Sequence, residues 1–256
     1  MPSNIRIIPR LDIKGDNLIK GIHLEGLRVV GKPSDFAHKY YNDGADEIIY
    51  MDVVASLYGR NNLESIIKST VKDIFIPITV GGGIKNTEDI NLMLRAGAEK
   101  VAINSAITRY PKLITEAARK FGSQCIVASI EAKKTNTSWE VMIENGRERT
   151  GLDAIEWSKK VCNLGAGEIL VTSIDNEGTK RGFDNELMQL ISSSVNIPVI
   201  ASGGMGSIEH GISVVKESNA DAVAIANVLH YKTLNISEIR SSFQRAEINV
   251  REYEKS

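Results

Sequence analysis

The 256 residues carry 31 Lys and Arg against 32 Asp and Glu, a formal net charge of −1 at pH 7. No global field of either sign therefore draws the chain to nucleic acid or a polyanion, and a small substrate is the better expectation. Cys125 and Cys162 show neither metal-ligand spacing nor a disulfide framework, no basic-then-apolar leader opens the chain, and no run reaches the roughly 18 apolar residues of a membrane span, so the reading is a soluble cytoplasmic protein with reduced thiols, no metal and no cofactor.

Eight short apolar runs follow one another, each trailed by an amphipathic stretch. They are Arg6 to Leu11, Glu47 to Met51, Ile76 to Val80, Lys100 to Ile103, Ile126 to Ile130, Glu168 to Val171, Pro198 to Ala201 and Ala222 to Ile225. This alternation predicts parallel strands joined by crossover helices. A long connection, Lys14 to Pro33, follows the first strand. Asn86 before Thr87-Glu88-Asp89 reads as an N-cap, Gly97 and Gly165 as C-terminal glycines, and Leu113, Ile114, Ala117, Ala118 and Phe121 as one helical stripe. A second long connection, Ala132 to Gly151, contains Trp139 to Ile143 and Asn145-Gly146, which predict a small hairpin.

The sequence also repeats itself. Gly44-Ala45-Asp46-Glu47-Ile48-Ile49 returns as Gly165-Ala166-Gly167-Glu168-Ile169-Leu170, and Ile76-Pro77-Ile78-Thr79-Val80-Gly81-Gly82-Gly83 returns as Ile197-Pro198-Val199-Ile200-Ala201-Ser202-Gly203-Gly204, both at an offset of 121 residues. Alternating βα units alone allow an open sheet. A repeat near half the chain length predicts two four-stranded halves closing into one (β/α)8 barrel, a TIM barrel, as a single domain over residues 1–256.

In such a barrel the reacting groups project from the C-terminal ends of the strands. Asp12 ends the first and Glu131 the fifth, opposite by strand count, and two carboxylates facing across a mouth can serve as general acid and general base. Gly81-Gly82-Gly83 and Gly203-Gly204 each form a turn able to cradle an anion, with Asn104-Ser105 and Ala226-Asn227 at the next strand ends, and Asp175-Asn176-Glu177-Gly178-Thr179 after the sixth strand. Two such sites imply a substrate with a phosphate at each end. At the opposite ends of the strands stand Arg6, Glu47, Lys100 and Glu168, two positive and two negative. Pointing inward, they would close the barrel floor as a ring of ion pairs; pointing outward, they are ordinary rim charges.

The segments Ile8 to Lys14, Thr79 to Ile84, Val101 to Ala106, Phe121 to Val127 and Ala201 to Gly204 resemble the cyclase subunit of imidazole glycerol phosphate synthase, and the resemblance runs essentially from end to end. It implies a lyase of histidine biosynthesis in which ammonia from a separate glutaminase, docked beneath the barrel as a heterodimer partner, closes a ring on a bisphosphate. The substrate is a ribulosyl formimino carboxamide ribotide, and the products are imidazole glycerol phosphate and aminoimidazole carboxamide ribotide. By the same resemblance, Asp12 and Glu131 fall on the catalytic carboxylates, and Gly83, Asn104 and Ser105 on one phosphate site. Gly178, Gly204, Ala226 and Asn227 fall on the other. Lys20 falls in a mobile first loop that covers substrate, and Arg6, Glu47, Lys100 and Glu168 on an ammonia gate.

The chain departs from the family pattern mainly at the mouth. The family has Asp at Glu131, Cys at Arg10, Arg-Asp at Asn176-Glu177, a small residue at Met205 and Ser at Asn227. An intact floor beneath an altered mouth keeps a second reading open. In it, a cyclase-like paralogue channels ammonia from a glutaminase to an amidotransferase of surface-polysaccharide amidino-sugar synthesis.

Overall fold

A computed structural model describes residues 4–55 and 63–253. Its first half runs β1 (Arg6–Lys14), β2 (Asn17–Ile22), β3 (Glu25–Gly31), α1 (Pro33–Asn42), β4 (Ile48–Asp52), α2 (Leu63–Thr70), β5 (Ile78–Gly81), α3 (Thr87–Ala96), β6 (Lys100–Ile103), α4 (Ser105–Arg109) and α5 (Lys112–Phe121). The second half repeats that order. It runs β7 (Ile126–Lys134), β8 (Trp139–Ile143), β9 (Glu148–Asp153), α6 (Ala154–Leu164), β10 (Glu168–Ser173), α7 (Asn185–Ser192), β11 (Val199–Ser202), α8 (Ile208–Ser218), β12 (Ala222–Ile225), α9 (Asn227–His230) and α10 (Ile236–Arg245).

Parallel pairing passes from β1 through β4, β5, β6, β7, β10, β11 and β12, and β12 pairs back onto β1. The barrel is closed, a (β/α)8 TIM barrel of two similar halves. Strand side chains alternate in direction, so neighbours part company. Ile7, Ile48, Ile169 and Val199 pack outward under the helices, whereas Ile8, Ile49, Leu170 and Ile200 pack inward with Ala102, Val127, Ala222 and Ala224. The axis is thus lined by an apolar layer, with polar groups left for the two ends of the strands.

Local chemistry places the helices. The Asn86 side chain accepts the Asp89 N–H at 2.9 Å and starts α3, which ends at Gly97 in a left-handed conformation that a glycine tolerates at little cost. Gly165 ends α6 in the same way.

The connections differ from expectation in one respect. Lys14 to Pro33 is a ribbon rather than a loose loop: β1 runs past the barrel rim, turns at Gly15 (φ 58°), and pairs antiparallel with β2, Asp12 opposite Ile19. The ribbon of β2 and β3 is the counterpart of the ribbon of β8 and β9 that grows from β7.

Candidate active site at the barrel mouth

Above the apolar layer the inward positions turn polar. Arg10, Asp12, Ser129, Glu131, Thr172 and Ser202 are all buried there. Arg10 Nε donates to Asp12 Oδ1 at 2.9 Å, and its Nη1 donates to Thr172 Oγ1 at 2.8 Å and Ser202 Oγ at 3.2 Å. Lys20 Nζ stands 4.0 Å from Asp12 Oδ2. Burial works against the charged form of Asp12, but the Arg10 guanidinium and the Lys20 ammonium outweigh it and hold the carboxyl below its usual range.

Glu131, on the opposite strand, has the contrary balance. Its Oε2 accepts the Gly146 N–H at 2.8 Å from the turn between β8 and β9. Burial nevertheless pushes its carboxyl up to about 7, against the lowering pull of Arg10 and that N–H. Two carboxyls across one mouth are therefore separated in proton affinity, one fixed as an anion and one able to hold or release a proton near neutrality.

The two glycine turns share a backbone form. Gly82 and Gly83 have φ of 102° and 71°, Gly203 and Gly204 of 92° and 107°. A Cβ at Gly82 would meet the Asp52 carbonyl at 2.1 Å, and one at Gly204 the Gly182 carbonyl at 1.9 Å, so only glycine fits either turn. The following strand ends match as well: Asn104 (φ −115°, ψ −83°) and Ala226 (φ −126°, ψ −73°) precede α4 and α9 in the same unusual conformation.

Their surroundings differ. Gly82, Gly83, Asn104 and Ser105 line a cavity of about 390 Å³ that also reaches Arg10, Asp52 and Glu131. The β8 ribbon braces it: Asn104 Nδ2 donates to the Met142 carbonyl, and Ser105 Oγ accepts the Glu144 N–H. Gly178, Gly204, Ala226 and Asn227 line a hollow of only about 10 Å³, the volume of one water site, together with Arg10, Lys20, Glu177 and Met205. Lys20, expected in a mobile loop, is instead buried on β2 and ion-paired with Glu177. Asn104 Oδ1 and Asn227 Oδ1 are buried, and neither has a hydrogen-bond partner among the described residues.

At the floor, Arg6 pairs with Glu47 at 2.8 Å and with Glu168, while Lys100 pairs with Glu47 and Glu168 at 2.9 Å each. Thr79 Oγ1 also donates to Glu47. The four charges form a closed ring beneath the apolar layer, with a hollow of about 290 Å³ lined by Arg6, Lys100 and Glu168.

Asp52, Thr172 and Ser202 also face the mouth and are not among the site residues that the sequence motifs mark out. Asp52 ends β4 after an apolar run, as Asp12 follows one, so the same rule would have found it; its carboxyl is raised by burial and accepts the Val54 N–H. Thr172 and Ser202 carried no signal, since a lone hydroxyl at a strand end is common. Among the described residues no group of three or more His, Cys, Asp or Glu side chains could hold a metal, and no helix is long and apolar enough to cross a membrane.

Fold and mouth together define a half-barrel repeat protein of the TIM-barrel class, with paired cradles and opposed carboxyls above a charged floor. The chain belongs to the histidine biosynthesis protein family, whose profile matches residues 6–235. It is 64% identical over 208 residues to a protein of Legionella pneumophila named imidazole glycerol phosphate synthase subunit HisF, covering 81% of this chain and 98% of that relative. It is 47% identical to proteins of the same name from Clostridium botulinum (248 residues) and Bacillus cereus (247 residues), covering 96% of this chain and 98% of each relative.

Proposed function

We propose that the chain, as one barrel domain, is the cyclase subunit of imidazole glycerol phosphate synthase, a lyase of histidine biosynthesis. It acts in the cytoplasm and uses ammonia from a glutaminase partner to convert a ribulosyl formimino carboxamide ribotide into imidazole glycerol phosphate and aminoimidazole carboxamide ribotide. The observation that carries this reading is the pair of buried carboxyls facing each other across the mouth, Asp12 held by Arg10 and Glu131 by the Gly146 N–H, between two matching glycine turns.

Ring closure needs a proton taken from the attacking nitrogen and protons given to departing groups. Asp12, locked as a carboxylate, is the acceptor; Glu131 is the donor. The open cradle at Gly83, Asn104 and Ser105 takes one phosphate, and the cradle at Gly178, Gly204, Ala226 and Asn227 takes the other. Lys20 covers the second end. Ammonia enters through the ring of Arg6, Glu47, Lys100 and Glu168 and rises along the apolar axis. Passage requires an ion pair to break, and the partly exposed Arg6 and Lys100 are the members free to swing.

The conduit reading draws on Arg10, whose guanidinium ties up Asp12. Relatives at 64% and 47% identity that bear the synthase name favour the cyclase. The purified chain with excess ammonium is expected to turn over the ribotide. No turnover, together with stimulation of a glutaminase, would remove the cyclase reading and leave the conduit. Replacing Glu131→Asp asks how far this position suits ring closure, since one methylene moves the carboxylate by roughly 1 Å, enough for a rate change on the order of 10²-fold.

A further inference from the structure

Among the acids at the mouth to which ring closure gives no task, Glu177 stands in the second half-site. It is buried there, and its Oε1 pairs with Lys20 Nζ. Its Oε2 lies over the second glycine turn, so close that a Cβ on Gly203 would come within 3.3 Å of it. The loop carrying it is pinned to the β2 ribbon, for the His23 N–H donates to the Glu177 carbonyl at 2.9 Å. Gly178 approaches the ribbon closely enough that a Cβ there would meet the Gly21 carbonyl at 2.6 Å. The hollow around these groups measures about 10 Å³, against about 390 Å³ at the first cradle. Asn227 Oδ1 is left beside it as a buried acceptor without a partner among the described residues.

We propose that the Glu177 carboxylate occupies the second glycine cradle as a built-in substitute for a ligand's anion, and that a phosphate enters this end only by displacing it from Lys20. The inference rests on reading that cradle as a phosphate site. It makes the cradle a charge filter. A ligand ending in a carboxylate offers Lys20 the same single charge and two oxygens that Glu177 already supplies, and gains nothing by exchange. A phosphate brings up to two charges and three acceptor oxygens, and its Coulomb attraction to a desolvated ammonium is correspondingly larger. Selection is made against the weaker anion by a competitor inside the chain.

The test is a titration of the full chain with inorganic phosphate, followed by calorimetry and by phosphorus NMR. The wild type is expected to bind one equivalent, with a second at least tenfold weaker. In Glu177→Gln, which removes the charge and keeps the shape, the second equivalent tightens at least tenfold, and adding Lys20→Met abolishes that gain. Glu177→Ser serves the same purpose should the amide variant fold poorly. Two equivalents of equal affinity in the wild type would overturn the proposal and leave the cradles standing, as would an unchanged second equivalent in both Glu177 variants. Absence of phosphate binding in every form would remove the reading of the cradles themselves.

Discussion

Glu131 and Asp12 are one methylene apart in length, yet the fold sets them in opposite protonation regimes. With Glu131 as proton donor, its acid form is required. The rate at saturating ammonia should then hold below about pH 7, where its carboxyl sits, and fall as the pH rises through that value. Glu131→Gln keeps the size and removes the titration, so kcat should drop by roughly 10² to 10⁴-fold with the alkaline limb gone. A limb that persists unchanged in Glu131→Gln would assign it to another group. Both acids were legible in the sequence because each ends an apolar run. Their difference was not, because burial raises both and is overcome only at Asp12, by an Arg10 that Thr172 and Ser202 hold from strands more than 150 residues away and by Lys20.

At the scale of elements, the two ribbons are the least obvious product of the sequence. The second was legible from Asn145-Gly146, which demands a tight left-handed turn. The first carried a weaker sign in Gly15-Asp16 and reads as loop, since a glycine with one neighbour turns a chain in many contexts. What makes it a structure is tertiary: β1 overruns the rim and offers β2 an edge, and the ribbon lands on the β10 loop at Gly21 and Gly178. Gly178→Ala should therefore lift the ribbon, because its Cβ would press on the Gly21 carbonyl and its φ of 76° disfavours alanine. Limited proteolysis within residues 17–31 is expected to quicken by an order of magnitude or more while the barrel's far-ultraviolet dichroism holds. Equal cleavage rates would mean that the ribbon is not held there.

For the whole molecule the critical seam lies where the chain's last strand meets its first. His230 closes α9 against α1: Tyr40 Oη and His230 Nδ1 are 2.6 Å apart, and Phe36 packs edge-on at 5.6 Å. Nearby Arg240 and Arg251 bind Asp46, whose carboxylate accepts the Ile7 N–H. Burial lowers the His230 imidazole from its ordinary 6.5 to about 4, despite the attraction of Asp12. Below pH 6.5 the unfolded chain takes up a proton that the folded chain refuses, so this group's contribution is full above 6.5 and is lost as the pH falls toward 4, by at most about 3 kcal/mol. Urea unfolding of wild type and His230→Gln across that window should show the wild type losing more; parallel curves would clear His230 of the acid response. The repeat made closure readable from sequence, but this seam was not, since its residues come from the two chain ends and have no echo at the other joint: Asp46 is matched by Gly167 in the second half. The halves are thus alike in backbone and unlike in use. A ligand with the same group at both ends would meet a mouth of near-twofold symmetry and could lie in it head-first or tail-first. Cradles of about 390 and 10 Å³ remove that ambiguity. If both cradles take phosphate as proposed, one end docks on arrival and the other only after Glu177 leaves, which would give a pseudosymmetric barrel a fixed polarity and an order of events.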